Sequence, residues 1–252
     1  MQREFSLATL MAARQYLRNP LFIILLIGLP PTFITLAFIS TPDATIPLAV
    51  PEGAGQLVRV VSMPDLHGAI MVPITVSFLS GILGMFVMFS ARQGDRRLVI
   101  AGYAPLLLLS VRLVVITITS ILITSLSVSI TLLSWQPQQL ALFFLANLLP
   151  AIQYGFLGAI VGTYLSATSG TYLMFFLPMI DVGLVQNPMF PREDVQFWVK
   201  MLPDYAPMEV LIDTSFSAKF NTGSFLLGAV LYAAILAVVA GALFRRAVSL
   251  HR

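Results

Sequence analysis

Six stretches of the chain are apolar over a length that suits a membrane-crossing helix. Such a helix needs about 20 mostly apolar residues, because the hydrocarbon core of a bilayer is about 30 Å thick. The six stretches cover residues 20–39, 68–89, 105–133, 139–165, 171–185 and 223–244. The pattern predicts an all-α polytopic integral membrane protein, in which residues 1–252 form a single transmembrane domain with six transmembrane helices.

The segments between these stretches carry weaker patterns. Residues 1–19 have helical periodicity with apolar and charged faces, which predicts an interfacial helix that ends at Pro20. Residues 41–67 contain Pro and Gly with little periodicity and are predicted to form a loop. Residues 186–222 contain four prolines and two short amphipathic stretches. This last pattern favours short extracellular, partly re-entrant helices between spans five and six.

Composition supports membrane residence. Hydrophobic residues make up 58% of the chain and charged residues 10%, and the mean hydropathy is +0.92. Soluble domains are about 45–50% apolar and about 25% charged, so a soluble globular protein or a disordered chain is excluded. The chain has no Cys, which removes disulfides and thiolate chemistry.

The placement of charge predicts an orientation. An even number of spans puts both termini on one side of the membrane. Of the 14 Lys and Arg residues, ten lie on that side and four on the other. The ten are Arg3, Arg14, Arg18, Arg92, Arg96, Arg97, Arg112, Arg245, Arg246 and Arg252. Because basic residues concentrate in cytoplasmic segments, we expect a multi-pass protein of the cytoplasmic (inner or plasma) membrane with both termini in the cytoplasm.

Signatures of catalysis are absent from the sequence. It has no His-Glu-x-x-His, no Gly-x-Ser-x-Gly and no phosphate-binding Gly-x-x-x-x-Gly-Lys-Ser/Thr loop. We therefore expect no enzyme activity, no metal site and no cofactor on this chain. Asp181 is the one acid near a span, and it is expected at the outer boundary without a basic partner. With so few ionisable groups in the spans, energy for transport would come from another polypeptide.

The inner segment of residues 90–104 combines charge with apolar residues. Arg92, Asp95, Arg96 and Arg97 crowd its first half, and Gly94 is expected to permit a turn. Such a compact knob suits a groove on a soluble partner, and it equally suits binding to lipid headgroups. In the fourth span, Gly155, Gly158 and Gly162 are predicted to let helices approach closely.

Four features, in order along the chain, resemble the membrane subunit of ABC-2 type exporters. The first is the amphipathic start that ends in Arg18-Asn19-Pro20, with Pro30-Pro31 in the first span. The second is the charged stretch from Arg92 to Pro105, similar to the family's coupling helix. The third is the stretch from Leu202-Pro203 to Leu211, similar to the family's two short extracellular helices. The fourth is the plan of six spans with both ends inside.

The resemblance implies an ATP-binding cassette (ABC) transporter that exports a substrate across the membrane. Two membrane subunits, identical or different, would assemble with two copies of an ATPase subunit that binds ATP and Mg. Residues implied at the ATPase contact are Arg92, Gly94, Asp95, Arg96, Arg97, Tyr103, Arg14 and Arg18. By this resemblance, efflux would occur between the two membrane subunits. The residues implied along that substrate path are Met85, Phe86, Phe89, Met174, Phe175, Phe176 and Asp181.

Other readings of the sequence stay open. A channel or carrier that works without ATP would use ionisable groups inside the membrane. A non-transporting membrane scaffold would bind partners through the same architecture, and a membrane-embedded enzyme is disfavoured by the missing catalytic motifs. Membrane lipid is an expected partner, whereas nucleic acid is not.

Overall fold

A computed structural model describes residues 20–52, 55–190 and 196–249, and the chain is mostly helical. The first helix, α1, is Pro20–Ser40, followed by strands β1 (Thr45–Glu52) and β2 (Gly55–Ser62). Then come α2 (Met63–Ile100), α3 (Pro105–Thr131), α4 (Leu140–Tyr164) and α5 (Ala167–Ile180), and α5 continues into a π-helical segment, Asp181–Val185. A 3₁₀ turn (Val199–Met201) precedes α6 (Tyr205–Phe216) and α7 (Gly223–Ser249).

Five helical segments within the described residues are long and apolar enough to cross a membrane. They are Met63–Ile100, Pro105–Thr131, Leu140–Tyr164, Ala167–Val185 and Gly223–Val248. A shorter apolar helical stretch, Leu26–Ser40, lies within α1. Consecutive helices run between two ends of the bundle. We call them the hairpin end, which holds β1, β2 and α6, and the Arg92 end, which holds the end of α2 and the start of α3.

Strands β1 and β2 pair antiparallel as a hairpin, so the prediction of a loop without regular structure was wrong for these residues. Thr45 pairs with Ser62 and Glu52 with Gly55. In β1, Leu48 and Val50 alternate with exposed residues and are buried against the bundle. Two prolines, Pro47 and Pro51, obscure this period-two pattern in the sequence. A two-stranded sheet tolerates them because both of its strands are edge strands.

Helix α2 is the centre of the bundle and packs against α1, α3, α4 and α5. Its closest neighbour is α4, which it meets along glycine positions of both helices. A Cβ atom added to Gly84 would lie 1.9 Å from the Gly155 carbonyl oxygen, and one added to Gly158 would lie 2.0 Å from the Gly81 oxygen. A Cβ atom added to Gly162 would lie 2.2 Å from the Met85 carbonyl oxygen. The predicted close approach at Gly155, Gly158 and Gly162 is confirmed.

The C-terminal turn of α6 joins three separate parts of the hairpin end. Its last carbonyl groups have no partners within the helix and need other donors. The backbone N–H of Gln139 donates to the Thr214 oxygen at 3.0 Å, and Arg59 of β2 donates to the Phe216 oxygen at 2.9 Å. The hairpin, the α3–α4 connection and α6 are therefore fastened together.

Candidate functional site

The Arg92 end differs from the knob expected for residues 90–104. Helix α2 continues without a break to Ile100, so the prediction of a turn at Gly94 was wrong. Glycine costs a helix only about 1 kcal/mol relative to alanine, and the surrounding residues are sufficient helix formers. The turn occurs at Gly102, whose φ of +98° is accessible to glycine. The N–H groups of Gly102 and Tyr103 donate to the carbonyls of Val99 and Leu98, both at 3.0 Å, as in a Schellman motif.

The charged residues of this segment have three different environments. Arg96 and Arg97 are exposed, as are Gly94 and Tyr103. Asp95 is only 1% exposed and faces the bundle. The Arg92 side chain turns toward the end of α4. The stretch therefore presents part of its charge to solvent and uses the rest within the fold; Arg14 and Arg18, predicted beside it, lie outside the described residues.

Asp95 forms an ion pair with Arg112 across α2 and α3. Arg112 Nη2 lies 2.9 Å from Asp95 Oδ1, and the side chains are 14% and 2% exposed, respectively. The family resemblance implied that Asp95 lies at a contact with an ATPase, and no partner was predicted for Arg112. Seventeen residues separate the two, and the helical turn at Gly102 brings them together. Assignment of Asp95 to an ATPase contact stays a prediction, and its carboxylate has an intramolecular partner in this structure.

Arg92 closes the C-terminal end of α4. Its Nε donates to the Gly162 oxygen at 2.7 Å, and its Nη2 donates to the Leu165 oxygen. The guanidinium carbon also lies 4.9 Å from the centre of the Phe89 ring. A cation at this position satisfies carbonyl groups that lack partners in the helix and is favoured by the helix dipole.

Replacing Arg92 by methionine should therefore weaken the fold. We expect R92M to lower the free energy of unfolding by about 1–2 kcal/mol, because two carbonyl groups lose their charged donor. The measurement is an unfolding titration in mixed micelles, with R97M as the control because Arg97 is exposed on the same helix. Equal effects of the two substitutions would contradict the capping role.

A buried polar cluster joins four elements toward the hairpin end. It consists of Ser77 of α2, Tyr154 of α4, Asp181 at the start of the π-helical segment and Asp204 before α6. The Tyr154 hydroxyl donates to Asp181 Oδ2 at 2.7 Å, and the Asp204 backbone N–H donates to the same oxygen at 3.1 Å. Ser77 Oγ donates to Asp204 Oδ2 at 3.3 Å. We refer to these four residues as the buried polar cluster.

The cluster changes the interpretation of Asp181 and adds Asp204. Asp181 was expected at the outer water boundary, but it is 1% exposed, and Asp204 is completely buried. Burial and the nearby Asp181 carboxyl raise the pKa of Asp204 well above its usual range, and the Ser77 hydrogen bond opposes them. Sequence reasoning missed Asp204 because it stands in a proline-rich stretch that was predicted to form short extracellular helices. Its partner Ser77 is 127 residues away.

The six aromatic and methionine residues predicted along a substrate path separate into two groups. Met85 and Met174 are buried in the helix packing, at 1% and 0% exposure. Phe86, Phe175 and Phe176 are partly exposed, and the Phe175 ring packs edge-on against Phe78 and Phe176. Phe89 is partly buried beneath Arg92. Their assignment to a substrate path stays a prediction.

In the described part of the chain, no group of three or more His, Cys, Asp or Glu side chains is placed to hold a metal ion. The polar groups that do converge are suited to holding protons and hydrogen bonds. Comparisons with models of protein families and with curated proteins gave no match.

Proposed function

We propose that this chain is the membrane subunit of an ABC-2 type exporter, moved by a separate ATPase that binds ATP and Mg. The observation that carries the proposal is the exposed end of α2. At a rise of 1.5 Å per residue, a helix of 38 residues is about 57 Å long, which exceeds a hydrocarbon core of about 30 Å. Its excess length presents a surface to a soluble partner.

This end of α2 has the mixed character of a protein contact. Arg96 and Arg97 supply charge, while Leu98 and Ile100 are 37% and 75% exposed. An anchor for lipid headgroups alone requires only the charge. The added apolar area favours a protein partner with an acidic rim and an apolar groove.

The packing of α2 suits transmission of a movement from its exposed end to the centre of the bundle. Because α2 and α4 touch backbone to backbone where Gly84 meets Gly155 and Gly158 meets Gly81, the two helices pack with little space between them. A displacement imposed by the ATPase on residues 96–103 would therefore move the centre of the bundle as a unit. In this proposal both termini are cytoplasmic, and two such membrane subunits meet along the face that carries Phe86, Phe175 and Phe176.

Charge reversal at the exposed end tests this function. We expect R96E/R97E to reduce magnesium-dependent ATP hydrolysis that co-purifies with the tagged chain from native membranes by at least about tenfold, equivalent to 1.4 kcal/mol of binding. The matched control is K200E/K219E, which reverses two exposed cations at the hairpin end. Membrane insertion and yield should be unchanged in both variants.

Two results would overturn the proposal. One is a preparation with no associated ATPase, and the other is an equal loss of hydrolysis in both double variants. The first result would favour a carrier that works without ATP. That alternative has a specific observation behind it, since Asp181 and Asp204 are ionisable groups in the bundle interior.

A further inference from the structure

Two carboxyl groups meet in the interior of the bundle, and we propose that Asp181 and Asp204 form a proton-binding site in which Asp204 holds one proton in the folded protein at neutral pH. Asp181 Oδ2 accepts hydrogen bonds from Tyr154 and from the Asp204 backbone N–H. Those bonds place the two aspartates side by side, in contact with residues of α2 and α4. The pair then carries one negative charge instead of two.

Asp204 does not perform the usual role of an aspartate before a helix. It occupies the N-cap position of α6, where a carboxylate ordinarily accepts hydrogen bonds from the first N–H groups of the helix. The Asp204 side chain makes no such bond. It faces Ser77 instead, and its Oδ1 is buried without a hydrogen-bond partner among the described residues. A buried carboxylate oxygen in that position is strongly unfavourable, whereas a protonated carboxyl group removes the charge.

Asp213 of the same helix provides the contrast. It is also completely buried. Its carboxylate accepts hydrogen bonds from the backbone N–H groups of Asn221 and Thr222, at 2.6 and 3.0 Å, and from both of their side chains. Four donors replace water around a negative charge. Asp204 has one donor, Ser77, at 3.3 Å. Asp204 and Asp213 are therefore equally buried, and they differ in the number of hydrogen-bond donors to the carboxyl group.

The ionisable groups around Asp204 favour its neutral form. The charged group acting on it is the like-charged Asp181, from the π-helical segment. The phenols that interact with this pair, Tyr154 of α4 and Tyr232 of α7, are neutral near pH 7 and bring no positive charge. The hydroxyl of Ser77 is the one group here that favours ionisation.

Loss of this proton would act on the contact between the π-helical segment and the start of α6. Asp181 and Asp204 lie on the two sides of this contact, while Tyr154 and Ser77 belong to the closely packed α2–α4 centre. Two adjacent negative charges repel strongly at low dielectric. Ionisation of Asp204 would therefore loosen the start of α6 from the π-helical segment, and protonation would restore the contact. The proton is thus a ligand whose occupancy is linked to the contact between the π-helical segment and α6.

Infrared spectroscopy of the full chain in lipid nanodiscs tests the site directly. At pH 7 we expect a carbonyl stretching band of a protonated carboxyl group, and D204N should remove it. D213N, in the same helix, should retain it. A protein that shows no such band at pH 7, or whose band survives D204N, would overturn the proposal.

S77A provides a test that keeps a carboxyl group at position 204, and it applies even where D204N does not fold. Because the Ser77 donor favours the ionised form, its removal should shift the titration midpoint of the band to higher pH. The midpoint of thermal unfolding gives a second readout. Since the pKa of Asp204 is higher in the folded than in the unfolded state, its contribution to stability is full at low pH and declines as pH rises above the ordinary aspartate range.

D204N should therefore stabilise the protein relative to wild type increasingly as pH rises. A band midpoint unchanged in S77A, or a stability difference between D204N and wild type that does not vary with pH, would count against Asp204 as the proton carrier. Neither readout depends on an ATPase, so failure of the proposed transport function leaves this test intact.

Discussion

Replacing Gly158 by alanine is expected to destabilise the helix bundle severely. The added methyl group would lie 2.0 Å from the Gly81 oxygen and 3.0 Å from the Met85 nitrogen. These are backbone atoms of α2 and cannot rotate away like a side chain. Relief requires the two central helices to separate, which also opens the contact between Gly84 and Gly155. We expect the free energy of unfolding to fall by about 3 kcal/mol, the upper end of the usual cost of overpacking.

The matched control is Gly28→Ala in α1. It makes the same chemical change in an apolar helix, and apart from the backbone of its own helix no atom of the described residues lies within 4 Å of the added Cβ. Alanine is the better helix former, so G28A should be neutral or stabilise the protein by up to about 1 kcal/mol. The measurement is unfolding by sodium dodecyl sulfate in mixed micelles, followed by circular dichroism. If G158A and G28A behave alike, the α2–α4 contact is not as close as described.

The second large effect is expected at the ion pair between Asp95 and Arg112. Removing one partner leaves the other charge buried without compensation, which typically costs 3–5 kcal/mol in proteins, and we expect about 3 kcal/mol for D95N. R112Q should cost slightly more, because it leaves the more deeply buried carboxylate of Asp95 without its partner. The same unfolding titration measures both variants.

The double variant D95L/R112M removes both charges and so tests the ion pair as a unit. Asp95 Oδ2 and Arg112 Nε have no hydrogen-bond partner among the described residues, so the pair is incompletely satisfied. An apolar replacement of both residues should therefore recover most of the stability lost in the single variants. Single substitutions that cost less than about 1 kcal/mol, the range of exposed pairs, would contradict a buried interaction.

The sequence predicts the helices well because their signals are local. Long apolar runs show where α3, α4 and α7 lie, and the glycines of α4 indicate a close contact. The identity of the contacting helix is not a local property. Gly81 and Gly84 meet α4 only once α3 has reversed the chain direction. The sequence between α2 and α4 carries no signal that these two helices pair.

Two elements, β1 and the end of α2, were predicted wrongly, and each error has a physical reason. In β1, Pro47 and Pro51 look like loop residues, and only the alternation of Ile46, Leu48 and Val50 indicated a strand. In α2, Gly94 and the charged residues after it look like the end of a span. The helix nevertheless continues, because Asp95 is paired across the bundle and Arg92 is held by α4.

Asp204 could not have been selected from the sequence as a proton carrier. Two aspartates of similar context, Asp204 and Asp213, lie nine residues apart, and nothing local distinguishes them. The difference arises from tertiary structure, which supplies Asn221 and Thr222 to one carboxyl group and Asp181 to the other. A side chain's ionisation state depends on neighbours from distant parts of the chain.

The bond between Arg59 and the Phe216 carbonyl has a consequence for the order of events during biosynthesis. The two residues are 157 positions apart. At about 5–20 residues per second, a ribosome needs on the order of ten seconds to make that interval. Throughout that time the hairpin lacks its contact with α6, and Val58 and Val60 of β2 are exposed beside an unpaired strand edge. An unpaired strand edge with exposed apolar side chains can pair with the wrong chain, so the newly made hairpin needs protection until α6 has been synthesised.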